Sequence, residues 1–208
     1  MKAVIYTGET PLGKEIIAEL QGVSYEIVSY GKRADIPETV PDDPIDLLIL
    51  VGGSKDGLPK LDREIGTERD YESLSAYLGE QMLIRYELIK KYIPALEKGR
   101  GKRIGFVSYR YASVSDNQDV ADYALHMDAV GMSMQAKMVH EKYRNQINGS
   151  DFTVRYFAAE LSEMERKKGL SAAQYIQMNF CHDKRYFSKH YEENHLRIRD
   201  HKFVQIPW

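Results

Sequence analysis

Residues 2–21, "KAVIYTGETPLGKEIIAELQ", pass from a strand-like run to a helix-like one through a bend that holds two glycines. Residues 2–7 form a short apolar run of the kind a buried strand shows, and Leu12, Ile16, Ile17 and Leu20 recur at helical spacing. Gly8, Gly13 and Lys14 match the phosphate-loop spacing G-x-x-x-x-G-K. Glu15, however, puts a carboxylate where that loop needs a hydroxyl for magnesium, and Pro11 supplies no N–H. No acid for a metal follows the third strand-like run either. Two readings stay open: a dinucleotide loop short of a glycine, and a turn whose glycines only permit a tight bend.

The rest of the chain repeats the alternation. "SYEIVSY" (24–30), "DLLILVGG" (46–53), "KRIGFVSY" (102–109) and "FTVRYFA" (152–158) read as further strands. Between them lie a proline-bearing loop (31–45), one long amphipathic helix or two (71–99), and a long helix with small residues on one face (119–146). A shorter helix at 171–180 and a closing strand or hairpin within 195–208 complete the pass, with residues 181–208 forming a C-terminal cap. Continuous apolar strands alternating with helices predict a parallel sheet covered on both faces. The expected fold is α/β, a Rossmann-like doubly wound parallel sheet in a single domain. Ligands of such sheets sit beyond the carboxyl ends of the strands, where the strand order reverses.

The chain has 208 residues and a formal net charge of −2, with hydrophobic residues at 43% and charged residues at 29%. That balance argues against a general nucleic-acid or membrane surface binder. The single cysteine, Cys181, fits a reducing compartment, and neither a signal segment nor a membrane-length apolar run is evident, so a cytoplasmic location is expected. The cluster Cys181, His182, Asp183, His190 and His195 matches no zinc spacing, and no metal is expected. No G-x-S-x-G elbow is present for a serine hydrolase.

Taken together, these segments resemble the short-chain dehydrogenases/reductases over most of the chain. The family's first loop, T-G-x-x-x-G-x-G, is approached by Thr7-Gly8-Glu9-Thr10-Pro11-Leu12-Gly13, one residue short and without the middle glycine. Leu50-Val51-Gly52-Gly53 keeps only the small pair of the family's N-N-A-G. "QMLIRYELIKKYIPAL" looks like the central helix, "GKRIGFVSY" like the serine-bearing strand, and "YALHMDAVGMSMQAKMVHEKYR" like the catalytic helix. The order and spacing of these segments carry the resemblance; no single motif is intact.

The resemblance implies hydride transfer between a nicotinamide and a carbonyl or alcohol. In the family a tyrosine is the acid or base, and a lysine four residues on lowers its pKa. A free phenol titrates near ~10 and needs a cation beside it to work near neutrality. Tyr123 falls on the tyrosine position, but Met127 stands at the lysine position. The serine position falls at Tyr109, or at Arg110, and the asparagine position at Gln81. Only the tyrosine is kept, so Tyr123 is expected to stay a neutral phenol, with weak hydride transfer or none. Arg110 is a possible replacement cation, and on that alternative the chain is an NAD(P)H-dependent reductase of a small carbonyl compound acting through Tyr123. Tyr123 can equally be one buried helix tyrosine among the chain's fifteen.

For the cofactor, the resemblance points to Thr7, Gly8 and Gly13 at the pyrophosphate and to Gly52 and Gly53 at the adenosine ribose. After the second strand, Lys32 and Arg33 suit the extra phosphate of NADP, where an acid would suit NAD; an exposed basic pair is also commonly only solvated. Residues 31–45 are short for the helix and strand the family places there, which shrinks the adenine side. Met127, Met132, Met134 and Met138 are expected in the core or at a helix interface. The family's habit of pairing its two long helices leads to an expected homo-dimer or tetramer through residues 76–97 and 119–142, acting on a small molecule.

Overall fold

In the computed structural model, which describes residues 1–52, 68–108, 123–143, 153–158, 171–181 and 198–200, the strand-like runs pair as one parallel sheet. Its strands are β1 (Lys2–Tyr6), β2 (Glu26–Tyr30), β3 (Leu47–Val51), β4 (Arg103–Ser108), β5 (Thr153–Ala158) and β6 (Ile198–Asp200), in the order β2-β1-β3-β4-β5-β6. The chain builds outward from β1 to β2, then crosses to the other side for β3. The strand order therefore reverses between β1 and β3, and a crevice opens beyond their carboxyl ends. The helices are α1 (Pro11–Gly22), α2 (Glu68–Lys98), α3 (Tyr123–Tyr143) and α4 (Ala172–Cys181).

Strand alternation sorts the core into two layers. Val4, Tyr6, Leu48, Leu50, Ile104 and Phe106 pack against α2 and α3, while Ala3, Ile5, Leu47, Ile49, Val51 and Val107 pack against α1 and α4. All five residues of β3 are buried, which is why its sequence is apolar without a break. The entry to α1 is set locally: Thr10 caps it, its hydroxyl accepting from the Gly13 amide at 3.0 Å, and Pro11 occupies the first helical position, where no N–H is needed.

The crossover from β2 to β3 contains a 3-10 turn, Arg33–Asp35, and no strand. It is strapped to α2, with Lys91 Nζ donating to the Pro37 carbonyl at 2.8 Å and Lys98 paired with Asp42. The hydroxyls of Tyr30 and Tyr92 share a 2.6 Å hydrogen bond beneath it; burial first, then that bond, pushes the Tyr92 phenol above its usual range. At the opposite edge of the sheet Asp46 accepts from the backbone amides of Lys2, Arg100 and Gly101 at 2.8–3.0 Å. Burial alone would raise its pKa, but those amides outweigh it and hold the carboxyl below the usual range.

Several expectations shift. The third strand ends at Val51, and the second begins at Glu26 because Ser24 adopts φ +65. The long segment is one helix that continues past Pro94 to Lys98. A proline removes one ladder bond but does not end a helix whose buried face, Ile89, Tyr92, Ile93, Ala95 and Leu96, is anchored in the core. Of the four methionines on α3 only Met132 is in the core; Met127, Met134 and Met138 are exposed. The rest of the expected 119–146 helix, and all of 181–208 except Cys181 and β6, lie outside the described residues.

Candidate functional site

The expected cofactor residues converge on the carboxyl edge of β1, β2 and β3. Gly8 adopts φ +54, and a Cβ built there would stand 3.8–3.9 Å from the carbonyls of Val51 and Gly52. The bend thus lies directly against the end of β3. Gly13 has no room for a side chain: a Cβ would meet Thr7 Cβ at 2.6 Å, so α1 rests on the end of β1 only because residue 13 is glycine. A Cβ on Gly52 would lie 3.0 Å from Ser108 Oγ and 3.4 Å from Met132 Sδ. Gly53 is outside the described residues.

Most donors of the bend already have partners. The Glu9 amide donates to Thr7 Oγ1, Thr10 to the Thr7 carbonyl, Gly13 to Thr10 Oγ1 and Lys14 to the Thr10 carbonyl, and Pro11 has no amide hydrogen. A pyrophosphate here would be left with the amides of Gly8 and Leu12 at the start of α1. That fits a nucleotide held along one edge of the bend rather than cradled by a full glycine loop.

Lys32 and Arg33 are each paired. Lys32 Nζ is 3.3 Å from Glu9 Oε1, and Arg33 Nη2 is 3.3 Å from Glu87 Oε2 on α2. Asp35 Oδ2 accepts from the amides of Gly31 and Lys32 at 3.0 and 2.8 Å.

Beneath the crevice lies a polar cluster that strand and helix periodicity did not reveal. Arg85 of α2 is fully buried; its Nη2 stands 2.5 Å from Oδ1 of Asp128 on α3, and its Nε donates to Gln135 Oε1 at 3.0 Å. Gln135 in turn donates to the Met82 carbonyl at 2.9 Å. Among the described residues, neither the buried Oε1 of Gln81, one turn before Arg85, nor Arg85 Nη1 has a hydrogen-bond partner. Burial first, then the Glu80 carboxylate, pushes the Tyr6 phenol up to about 12 against the pull of Arg85, with Asp128 and Glu9 adding to the rise. Tyr156 donates to the Ala129 carbonyl at 3.2 Å, and burial raises its phenol further still, against a hydrogen bond with Ser108. Ser108, next to the expected serine position, points to the α2/α3 side with Phe106. Tyr109 and Arg110 lie outside the described residues.

Tyr123 is the first residue of α3 and is 46% exposed; Met127, one turn on, is 39% exposed. They share an outer face of the helix, whereas Asp128 and Ala129 face inward. Among the described residues no hydrogen bond or ion pair reaches the Tyr123 hydroxyl. The inward cation of this region, Arg85, is held by Asp128. The clue in the sequence was an arginine on the apolar face of α2 and an aspartate beside Met127, but nothing in either segment tells that the two meet.

Solved structures that superpose on the chain include dehydrogenases and reductases. A carbonyl reductase from Pseudomonas aeruginosa in complex with NADP superposes over 100% of both chains at a TM-score of 0.67 and 11% identity. The carbonyl reductase Sniffer of D. melanogaster covers 100% of this chain and 99% of its own at 0.65 and 12% identity. A Burkholderia multivorans protein described as a short-chain dehydrogenase/reductase, with bound NADP, covers 100% and 99% at 0.68 and 12% identity. No protein-family model matches the sequence, and no curated protein matches it significantly. The chain therefore has the short-chain dehydrogenase/reductase fold, a Rossmann-like α/β sheet, at identities that carry the fold alone. No described helix is long and apolar enough to cross a membrane, and the described residues hold no metal-ligating cluster.

Proposed function

We propose that the chain binds a nicotinamide dinucleotide, NAD or NADP, over the β1–β3 crevice and transfers hydride weakly or not at all. The observation that carries this reading is Tyr123: a half-exposed phenol with Met127 one turn away and, among the described residues, no hydrogen bond or ion pair to its hydroxyl, while the buried Arg85 is engaged by Asp128. A phenol without adjacent positive charge is a poor acid or base near neutrality. A bound nicotinamide would supply the hydride chemistry. This chain's own contribution would be binding: Gly8 and Leu12 amides toward phosphate, Thr7 and Gly13 fixing α1 against β1, and Gly52 letting the end of β3 close against Ser108 and Met132 beneath the crevice.

Calorimetric titration with NADH and NADPH tests the reading, followed by an absorbance assay of cofactor consumption with small aldehydes and ketones. The expected result is micromolar binding, about −8 kcal/mol, with no turnover that Tyr123→Phe removes. Turnover that Tyr123→Phe lowers about a hundredfold or more would establish the alternative, an active reductase of a small carbonyl compound.

We also propose a homo-dimer or tetramer built on α2 and α3. Met82, Leu83 and Tyr86 of α2 and Met127, Met134 and Met138 of α3 are all exposed, and Met82 joins the two sets by packing on Gly131. Apolar surface of that extent on adjacent helices is typical of a contact face. Light scattering at micromolar concentration should give a dimer or tetramer. The double change Met134→Glu and Met138→Glu should weaken association about a hundredfold or more through like charges meeting across a symmetric contact. A monomeric wild type would count against the assembly. With one cysteine in the chain, we place the protein in the reducing cytoplasm.

A further inference from the structure

Glu9 follows the first glycine of the bend and adopts φ +58, a left-handed conformation that costs energy for any residue but glycine. The conformation turns its side chain toward β2. A Cβ on Gly31 would stand 3.0 Å from Glu9 Cγ and 3.6 Å from its Oε1, so the Glu9 side chain lies closely against the bare backbone of residue 31. Glu9 Oε1 then meets Lys32 Nζ at 3.3 Å. Asp35 brings a second carboxylate to the same place and occupies the Gly31 and Lys32 amides. Arg33 is drawn to Glu87. The end of β2, basic in the one-dimensional sequence, is thus furnished with acceptors in three dimensions.

We infer that Glu9 is a specificity-determining residue that selects a dinucleotide with free vicinal ribose hydroxyls over one bearing a ribose phosphate. This rests on the reading of the chain as a nucleotide binder. Hydroxyls donate, and a carboxylate is an acceptor that can take one or both of them. A phosphate dianion brought to the same place would face the Glu9 and Asp35 carboxylates, whose charge offsets that of Lys32, while Arg33 is drawn away toward Glu87. The acid comes from the β1–α1 bend, not from the end of β2, which is why the linear sequence suggested the opposite preference.

Calorimetry with NADH and NADPH on wild type, Glu9→Gln and Glu9→Lys tests the inference, with the thermal midpoint of each variant as a check of folding. Wild type should bind NADH about tenfold or more tighter than NADPH. Glu9→Gln should narrow the gap and Glu9→Lys should close or reverse it, chiefly by strengthening NADPH binding. Equal affinities in wild type, a preference for NADPH, or a ratio that Glu9→Lys leaves unmoved would overturn the role of Glu9 while leaving nucleotide binding intact. No heat with either nucleotide would overturn both.

Discussion

Gly99→Ala should destabilise the fold by about 3 kcal/mol or more, because backbone and not side chain must move to admit the methyl group. A Cβ on Gly99 would lie 1.7 Å from the Ile45 carbonyl oxygen and 2.6 Å from its carbon. The obstacle cannot rotate away. The Ile45 amide donates to Ala95 in the last turns of α2, and Asp46 binds Lys2 through both its amide and its carboxylate while its carbonyl accepts from Arg103. Displacing residues 45–46 would therefore loosen β1, β3, β4 and α2 together. For a chain of this size the loss corresponds to a fall in thermal midpoint of about 6 °C or more. Gly79→Ala is the matched control, since a Cβ there meets nothing within 4 Å. It lies inside α2, the helix that Gly99 follows, and should gain up to about 1 kcal/mol from helix propensity. Urea unfolding of both variants decides the matter. A Gly99→Ala protein within about 0.5 kcal/mol of wild type would mean that the end of α2 is not seated against Ile45 as described.

The second large effect concerns Arg85. Arg85→Met removes the guanidinium from a carboxylate that is 1% exposed and takes the Nε donor from Gln135. Breaking a buried pair from one side costs about 3–5 kcal/mol, because the remaining charge has neither water nor its counter-ion. Replacing both charges with apolar groups, Arg85→Met together with Asp128→Leu, should recover most of that loss. A double-mutant cycle followed by denaturant unfolding measures the coupling. Additive losses, or a single variant within about 1 kcal/mol of wild type, would show that the two groups do not depend on one another. The Arg85→Met protein should also retain whatever nucleotide affinity the wild type has, since the bend at Gly8 lies between β1 and α1 and not on α2.

The parallel sheet was legible because β3 and β4 are buried on both faces, and burial on both faces leaves an unbroken apolar run. The bend was legible as a strand-to-helix turn, since Thr10, Pro11 and Gly13 each act within a few residues of one another. What stayed hidden depends on contacts distant in the chain. The Arg85–Asp128 pair joins residues 43 positions apart on two helices, and Asp128 by itself looked like no more than a charge of the wrong sign beside the lysine position. The basic character of Lys32 and Arg33 was plain, but their partners Glu9 and Glu87 lie on other elements. The methionines of α3, expected in the core or at a helix interface, divide between a buried Met132 and the exposed Met127, Met134 and Met138. Apolar side chains at helical spacing mark a face that avoids water, and they do not say whether the sheet or another molecule covers it.

The strand-free crossover of residues 31–46 leaves β2 as one rim of the sheet, paired among the described residues with β1 alone. An unpaired rim is a template on which a stray polypeptide can lay down its own backbone. Here the template is five residues long, opens with Glu26, and is followed at once by the Asp35-capped turn. Brevity and charge at that border discourage amyloid-like stacking on a rim that has no flanking strand from residues 31–46.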